Sequence, residues 1–234
     1  EEGLHQTDNK SSFQMYGTGF VVGQDYVVTA DHILRDKDSR RQCNRVEVLT
    51  DTDKRWAPAK IHGVNPLLDI AVIKLAEPRN SVAYLSFAPR FDNGDFVSHY
   101  SFVDWSNIRK GAGLSSGQIV PNPLNERSDL EKIAIFSDLP GQRGDSGGAM
   151  LDVHGNVVGV LLAGDESQGF MSGLKSSVLE GFLAANRVPF EVVKSSEVLS
   201  PEEVEKKAET FTAFVRCRHR GAGLDTNKRD VDRR

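Results

Sequence analysis

A serine set among glycines, a histidine just past an apolar run and a carboxylate opening another are the residues of this chain best suited to chemistry. The serine lies in Gly144-Asp145-Ser146-Gly147-Gly148. A serine hydroxyl is a weak nucleophile alone; it needs a neighbouring base and donors for the oxyanion that forms. Surrounding glycines let backbone N–H groups turn toward a reacting carbonyl with no side chain in the way. The same pentapeptide is also good turn chemistry between two strands, so by itself it leaves both readings open. Val27-Val28-Thr29-Ala30-Asp31-His32 puts His32 at the mouth of a turn, where it can reach a cleft, although a single histidine is more often a satisfied core or surface residue. In Leu68-Asp69-Ile70-Ala71-Val72-Ile73 a lone carboxylate opens an apolar strand. Asp69 could simply finish the Asn65-Pro66 turn, but a carboxylate in such company needs a hydrogen-bond donor, and an imidazole N–H is a suitable one.

The elements that must position these groups read as short strands. Gln14–Val22 and Tyr26–Thr29 flank Gly23-Gln24-Asp25, a hairpin signal. Val46–Leu49, Trp56–Val64, Ile70–Leu75, Phe96–Tyr100, Gly117–Val120, Lys132–Phe136, Ala149–Val153, Val157–Ala163 and Phe170–Leu174 follow at short spacing. This pattern predicts an all-β fold, a sandwich or barrel, and not alternating βαβ units. Two similar halves divide near Pro89–Gly94, giving a lead segment 1–12, a first half 13–90, a second half 91–186 and an extension 187–234. Ser176–Ala185 reads as a short helix on the second half. In the extension, Ser200-Pro201-Glu202-Glu203 is a well-formed helix start, and Val204, Ala208, Phe211 and Val215 make one stripe, predicting a helix over about 201–215 that docks on the strands in preference to a partner. The Arg-rich remainder, Arg216–Arg234, reads as a flexible polar tail.

Taken together, the fragments from about Gln14 to Ala185 resemble the trypsin-like serine protease superfamily. The order is His, Asp, Ser, with separations of 37 and 77 residues, closer to compact bacterial and high-temperature-requirement-type members than to digestive trypsins. Gly17-Thr18-Gly19-Phe20-Val21-Val22 looks like the family's first strand, Ser116-Gly117-Gln118-Ile119-Val120 like an element of its second barrel, and His154-Gly155-Asn156-Val157-Val158-Gly159-Val160 like the hairpin after the serine. The resemblance implies two six-stranded antiparallel β-barrels with a short C-terminal helical extension, and a serine endopeptidase working through an acyl-enzyme. Ser146 would attack, His32 would take and return the proton, and Asp69 would fix the imidazole tautomer. Gly144 and Ser146 N–H groups would form the oxyanion hole, and Leu162, Ala163 and Gly164 the edge that pairs with substrate. Pro140 would lie at the base of the specificity pocket with Gly164 and Gly169 on its walls. No acid sits at that base, so cleavage is expected after small to medium apolar residues, with Asp165 and Glu166 able to alter the rim.

Some features depart from the family or compete with it. Asp31 stands where a small residue is usual, and the plainer expectation is that it faces water. No Ile-Val-Gly-Gly-like start precedes the first strand, so Asp145 is expected to find a donor other than an N-terminal ammonium or to cap its turn. No peptide-binding (PDZ-like) domain is recognisable after the second half. Gly-x-Ser-x-Gly also fits the esterase nucleophile elbow, but a β-hairpin follows Ser146 where that fold needs a helix. A catalytically silent descendant serving as a binding or scaffolding module is the other class to weigh. The formal net charge of -4 gives no reason to expect nucleic acid as a partner, and no apolar run approaches the roughly 20 residues that span a bilayer. Protein or peptide substrate is the partner expected, with oligomeric state open and no cofactor or metal; Cys217 and His219 lie close, but no second pair accompanies them. The family is often exported, and a start at Glu1 is compatible with processing. Cys43 and Cys217 read most plainly as free thiols, with bridging left to geometry. His5, His62, His99, His154 and His219 form no cluster and read as surface or turn residues.

Overall fold

The computed structural model describes residues 13–36, 41–50, 55–80, 91–102, 112–123, 129–165, 169–192 and 197–219. Strands β1 (Phe13–Val22) and β2 (Tyr26–Ala30) pair as the expected hairpin, with Gly23 and Gln24 both at positive φ in the turn. Strands β3 (Arg45–Thr50), β4 (Ala57–Asn65) and β5 (Ile70–Leu75) follow, and β5 returns to pair with β2. Val27, Val28, Val72 and Ile73 are fully buried between them. The second half contributes β6 (Phe96–Phe102), β7 (Ala112–Gln118), a helical turn α1 (Leu130–Ile133), β8 (Ala134–Ser137), β9 (Ala149–Leu151), β10 (Val157–Asp165) and β11 (Phe170–Lys175). Its sheet runs β7-β6-β9-β10-β11-β8, and the two edge strands meet through Val120 N–H to Phe136 O (2.9 Å) and Asp138 N–H to Gln118 O (3.1 Å), which makes the sheet barrel-like. Helix α2 (Ser176–Ala185) packs Leu179, Phe182 and Leu183 into the larger core cluster.

The end of the chain departs from expectation. Helix α3 (Pro201–Phe211) starts at the capping box of Ser200 and Glu203, but it stops at Phe211. Thr212–His219 is strand β12, inserted between β1 and β3, and the first barrel closes as β1-β12-β3-β4-β5-β2. The sixth strand of that barrel therefore comes from the segment expected to extend the helix to 215 and then become a tail. Val215 lies four residues after Phe211, which fits a helix, but Phe211, Ala213, Val215 and Cys217 also recur every second residue, and all four are buried. Residues 220–234 lie outside the described residues, as do the lead segment 1–12 and Pro89 and Arg90 of the Pro89–Gly94 division.

Cys43 and Cys217 are joined, not free: their Cα atoms are 5.7 Å apart and they form a disulfide across 174 residues. The bridge ties β12 to the loop that bonds back to the histidine-bearing turn through Cys43 N–H to Leu34 O (3.0 Å). Closing so long a loop is worth about 2–5 kcal/mol. Reduction without denaturant is accordingly expected to lower the midpoint of thermal unfolding, read by calorimetry with and without reductant; an unchanged midpoint once both thiols are shown to be free would contradict this.

Candidate active site

Strand register accounts for the meeting of His32 and Asp69. Because Ala30 on β2 pairs with Ile70 on β5, the residues just after β2 and just before β5 lie at one end of the same ladder. His32 sits in the single 3-10 turn Asp31–Leu34 that leaves β2. Asp69 closes a turn in which Asn65 Oδ1 accepts the N–H groups of Leu67 and Leu68. Its φ of 52° lies in the left-handed region, which aspartate tolerates better than most residues. From there its backbone carbonyl accepts Asp31 N–H (3.1 Å), Oδ1 accepts His32 N–H (2.9 Å) and Oδ2 meets His32 Nδ1 at 2.6 Å. A carboxylate can only accept, so Nδ1 carries the proton and Nε2 keeps its lone pair. Both side chains remain about a third exposed.

The serine loop docks on the other side of this turn. Thr18 on β1 donates its N–H to Ser146 O (2.9 Å) and its hydroxyl to Gly144 O (2.7 Å). Gly147, at φ 89°, lies so close to the first barrel that a Cβ there would overlap Thr18 O and stand 2.7 Å from Ala30 N, two residues before His32. Leu161 and the loop exchange hydrogen bonds through Gly147 N–H to Leu161 O (2.7 Å) and Leu161 N–H to Gly148 O (2.8 Å). Among the described residues, the N–H groups of Gly144 and Ser146 have no acceptor. The Ser146 hydroxyl donates to Leu162 O (3.0 Å), and no hydrogen bond joins it to His32. Leu162 is the extra residue of a β-bulge on β10, which turns its carbonyl out of the ladder toward the serine.

Several neighbouring expectations are corrected. Asp31 does not face water: it is buried and pairs with Arg35 Nε at 2.6 Å. Asp145 caps its turn and also faces a buried histidine that the sequence did not reveal as its neighbour. His99 on β6 is 1% exposed, not a surface residue. Its Nδ1 donates to Ala149 O (3.1 Å), and its Nε2 faces Asp145 Oδ1 at 3.8 Å. Asp145 Oδ2 accepts Gln142 N–H (2.8 Å). Burial pushes the Asp145 carboxyl up, yet His99, Gln142 N–H and the Ser101 hydroxyl together hold it below the ordinary carboxylate range.

The residues expected around the specificity pocket differ in their surroundings. Pro140 is exposed, and a Cβ on Gly169 would meet no described atom within 4 Å. Gly164 does face a filled space, opposite Gly141, which the sequence reading did not single out. Ala163 and Gly164 pair with Ser172 and Met171 on β11, whereas pairing with β9 ends at Val160. Glu166 lies outside the described residues.

Comparison with known proteins agrees with this architecture. The chain is similar over 190 residues, at 30% identity, to a probable periplasmic serine endoprotease DegP-like of Chlamydia pneumoniae, covering 78% of this chain and 35% of that protein. It is 24% identical over 220 residues to the uncharacterized protein y4bJ of Sinorhizobium fredii (strain NBRC 101917 / NGR234), covering 89% of this chain and 33% of the relative. The chain thus spans about a third of the length of these relatives. Among solved structures, the serine endoprotease from Yersinia pestis shares the fold, with a TM-score of 0.58 at 18% identity, over 76% of this chain and 63% of that one. The family described as "Trypsin-like peptidase domain" matches residues 17–160, more than half of the sequence. On that match, the chain belongs to the trypsin-like serine protease family.

Proposed function

We propose that the chain is a serine endopeptidase that hydrolyses peptide bonds through an acyl-enzyme. The observation carrying this reading is the Asp69–His32 bond of 2.6 Å at the barrel seam, with the Ser146 loop docked on β1 beside it. Ser146 Oγ attacks the scissile carbonyl and passes its proton to His32 Nε2, which returns it to the leaving amine as the C–N bond breaks. A water activated by the same nitrogen then releases the acyl group. The unengaged Gly144 and Ser146 N–H groups receive the oxyanion. Leu162–Gly164 offer the edge left open beyond Val160 to an extended peptide. For attack, the hydroxyl must leave Leu162 O for His32; a substrate N–H that takes up that carbonyl would release it. Cleavage follows small to medium apolar residues, the partner is a protein or peptide, and the chain is exported, since a disulfide persists in oxidising compartments and relatives are described as periplasmic.

The Ser146–Leu162 bond favours one other reading, a silent protease-fold binding module. A serine-reactive phosphonate separates the two. The wild type is expected to be labelled and Ser146→Ala not, read by intact mass; an unlabelled, folded wild type would sink the peptidase reading.

A further inference from the structure

Met171 fills the space between Gly164 and Gly141. It lies on β11 directly across the ladder from Gly164 on β10. A Cβ built on Gly164 would overlap the Met171 sulfur, and so would one built on Gly141. The thioether therefore fills the gap between the segment leading to the serine and the edge strand that follows it. That gap opens beside the nucleophile: Gly141 stands five residues before Ser146, and Gly164 two residues after Leu162, whose carbonyl takes the Ser146 hydroxyl at 3.0 Å. Neither glycine has a positive φ, so the backbone does not require glycine at these positions. Their missing side chains make room, and the methionine uses it.

Met171 is not a loose rim residue. It is 7% exposed and belongs to the core of the second half with Val97, Ile135, Met150 and Leu161. A thioether adapts more readily than a branched chain. Swinging it aside, however, would leave a void against that cluster, which close-packed interiors resist.

We propose that Met171 is a specificity-determining residue, its side chain closing the pocket so that glycine or alanine is accepted on the acyl side of the scissile bond and larger side chains are refused. This rests on the peptidase reading above and narrows the small-to-medium range given there. Shortening the plug should invert the preference, because each methylene of fit in an apolar pocket is worth about 10–200-fold in discrimination.

The test uses the whole chain, with a peptide series varied only at the residue before the cut, and aryl phosphonates bearing either an alanine-like or a phenylalanine-like side chain. The wild type is expected to cut after alanine and to react with the alanine-like probe at least about tenfold faster than with the phenylalanine-like one. Met171→Ala is expected to gain at least about tenfold in kcat/KM for leucine or phenylalanine, while Met171→Leu keeps the wild-type profile. Equal reaction of wild type with both probes would overturn the role of Met171 and leave the peptidase reading standing, as would a folded Met171→Ala with an unchanged profile. If Met171→Ala does not fold, the two probes on wild type decide alone. Failure of both probes and all peptides on folded wild type would remove the peptidase reading and this inference with it.

Discussion

Asp69→Asn is expected to lower kcat by about four orders of magnitude with little change in fold, while Asp31→Asn leaves kcat close to wild type. The asparagine retains one oxygen, which can still accept His32 N–H in place of Oδ1, now at 2.9 Å. Its amide nitrogen then faces His32 Nδ1, a donor where the carboxylate accepted at 2.6 Å. The imidazole must present a lone pair there, so its proton moves to Nε2 and the ring can no longer take one from Ser146. Asparagine suits the test because it tolerates the φ of 52° at this position, whereas alanine would add backbone strain to the chemical loss. Asp31 is the control. Its carboxylate is committed to Arg35 at 2.6 Å, so its removal should register in stability and not in turnover. Steady-state kinetics on a peptide substrate, with circular dichroism on both variants, would settle the assignment. An Asp69→Asn enzyme within tenfold of wild type would mean that another group orients His32.

How much of this was readable beforehand depended on whether the cause lay near in the chain. Strands β1, β2 and β5 and helix α2 carried their own apolar periods and turn residues, and the structure places them within a residue or so of expectation. His32, Asp69 and Ser146 stood out because each is a polar group that apolar or glycine neighbours leave in need of a partner. Strand β12 was hidden because Val215 satisfies two periods at once, and only pairing with β1 and β3 decides between them. Strand β7 begins at Ala112, ahead of the expected Gly117, because Gly113, Ser115 and Ser116 give no apolar alternation. The Cys43–Cys217 bridge follows from that same strand insertion and was beyond reach without it. Met171 reads as an ordinary core residue until Gly141 and Gly164 are seen on either side of it. His99, flanked by Ser98 and Tyr100, gives no local sign that a carboxylate 46 residues later turns toward it.

That histidine supports the second large expected effect. Asp145 lies between the two residues whose N–H groups would receive the oxyanion, so whatever holds its side chain also holds their peptide planes. The groups around it are Gln142 N–H, Ser101 and His99; around His99 lie Gly148, Thr18, Ala149 O and, across β9, Met150, with Asp145 the charged group among them. Nδ1 of His99 is spent on Ala149 O, and its Nε2 faces the carboxylate oxygen at 3.8 Å. Substituting His99→Ala removes the imidazole that faces a 2%-exposed carboxylate. The expected result is a loss of about two orders of magnitude in kcat, the scale of one oxyanion donor, with a smaller change in KM. Stability should report the same pair through acid. The Asp145 carboxyl is held below its ordinary value, so its contribution to folding is complete above the unfolded carboxylate pKa of about 4 and is lost as pH falls through the folded value. Without His99 the upward push of burial is less opposed, and the acid limb of the thermal midpoint should move to higher pH. Purely structural damage would lower the midpoint evenly across pH and would not select kcat over KM. A variant with wild-type kcat and an unmoved acid limb would show that Gln142 and Ser101 suffice to hold the loop.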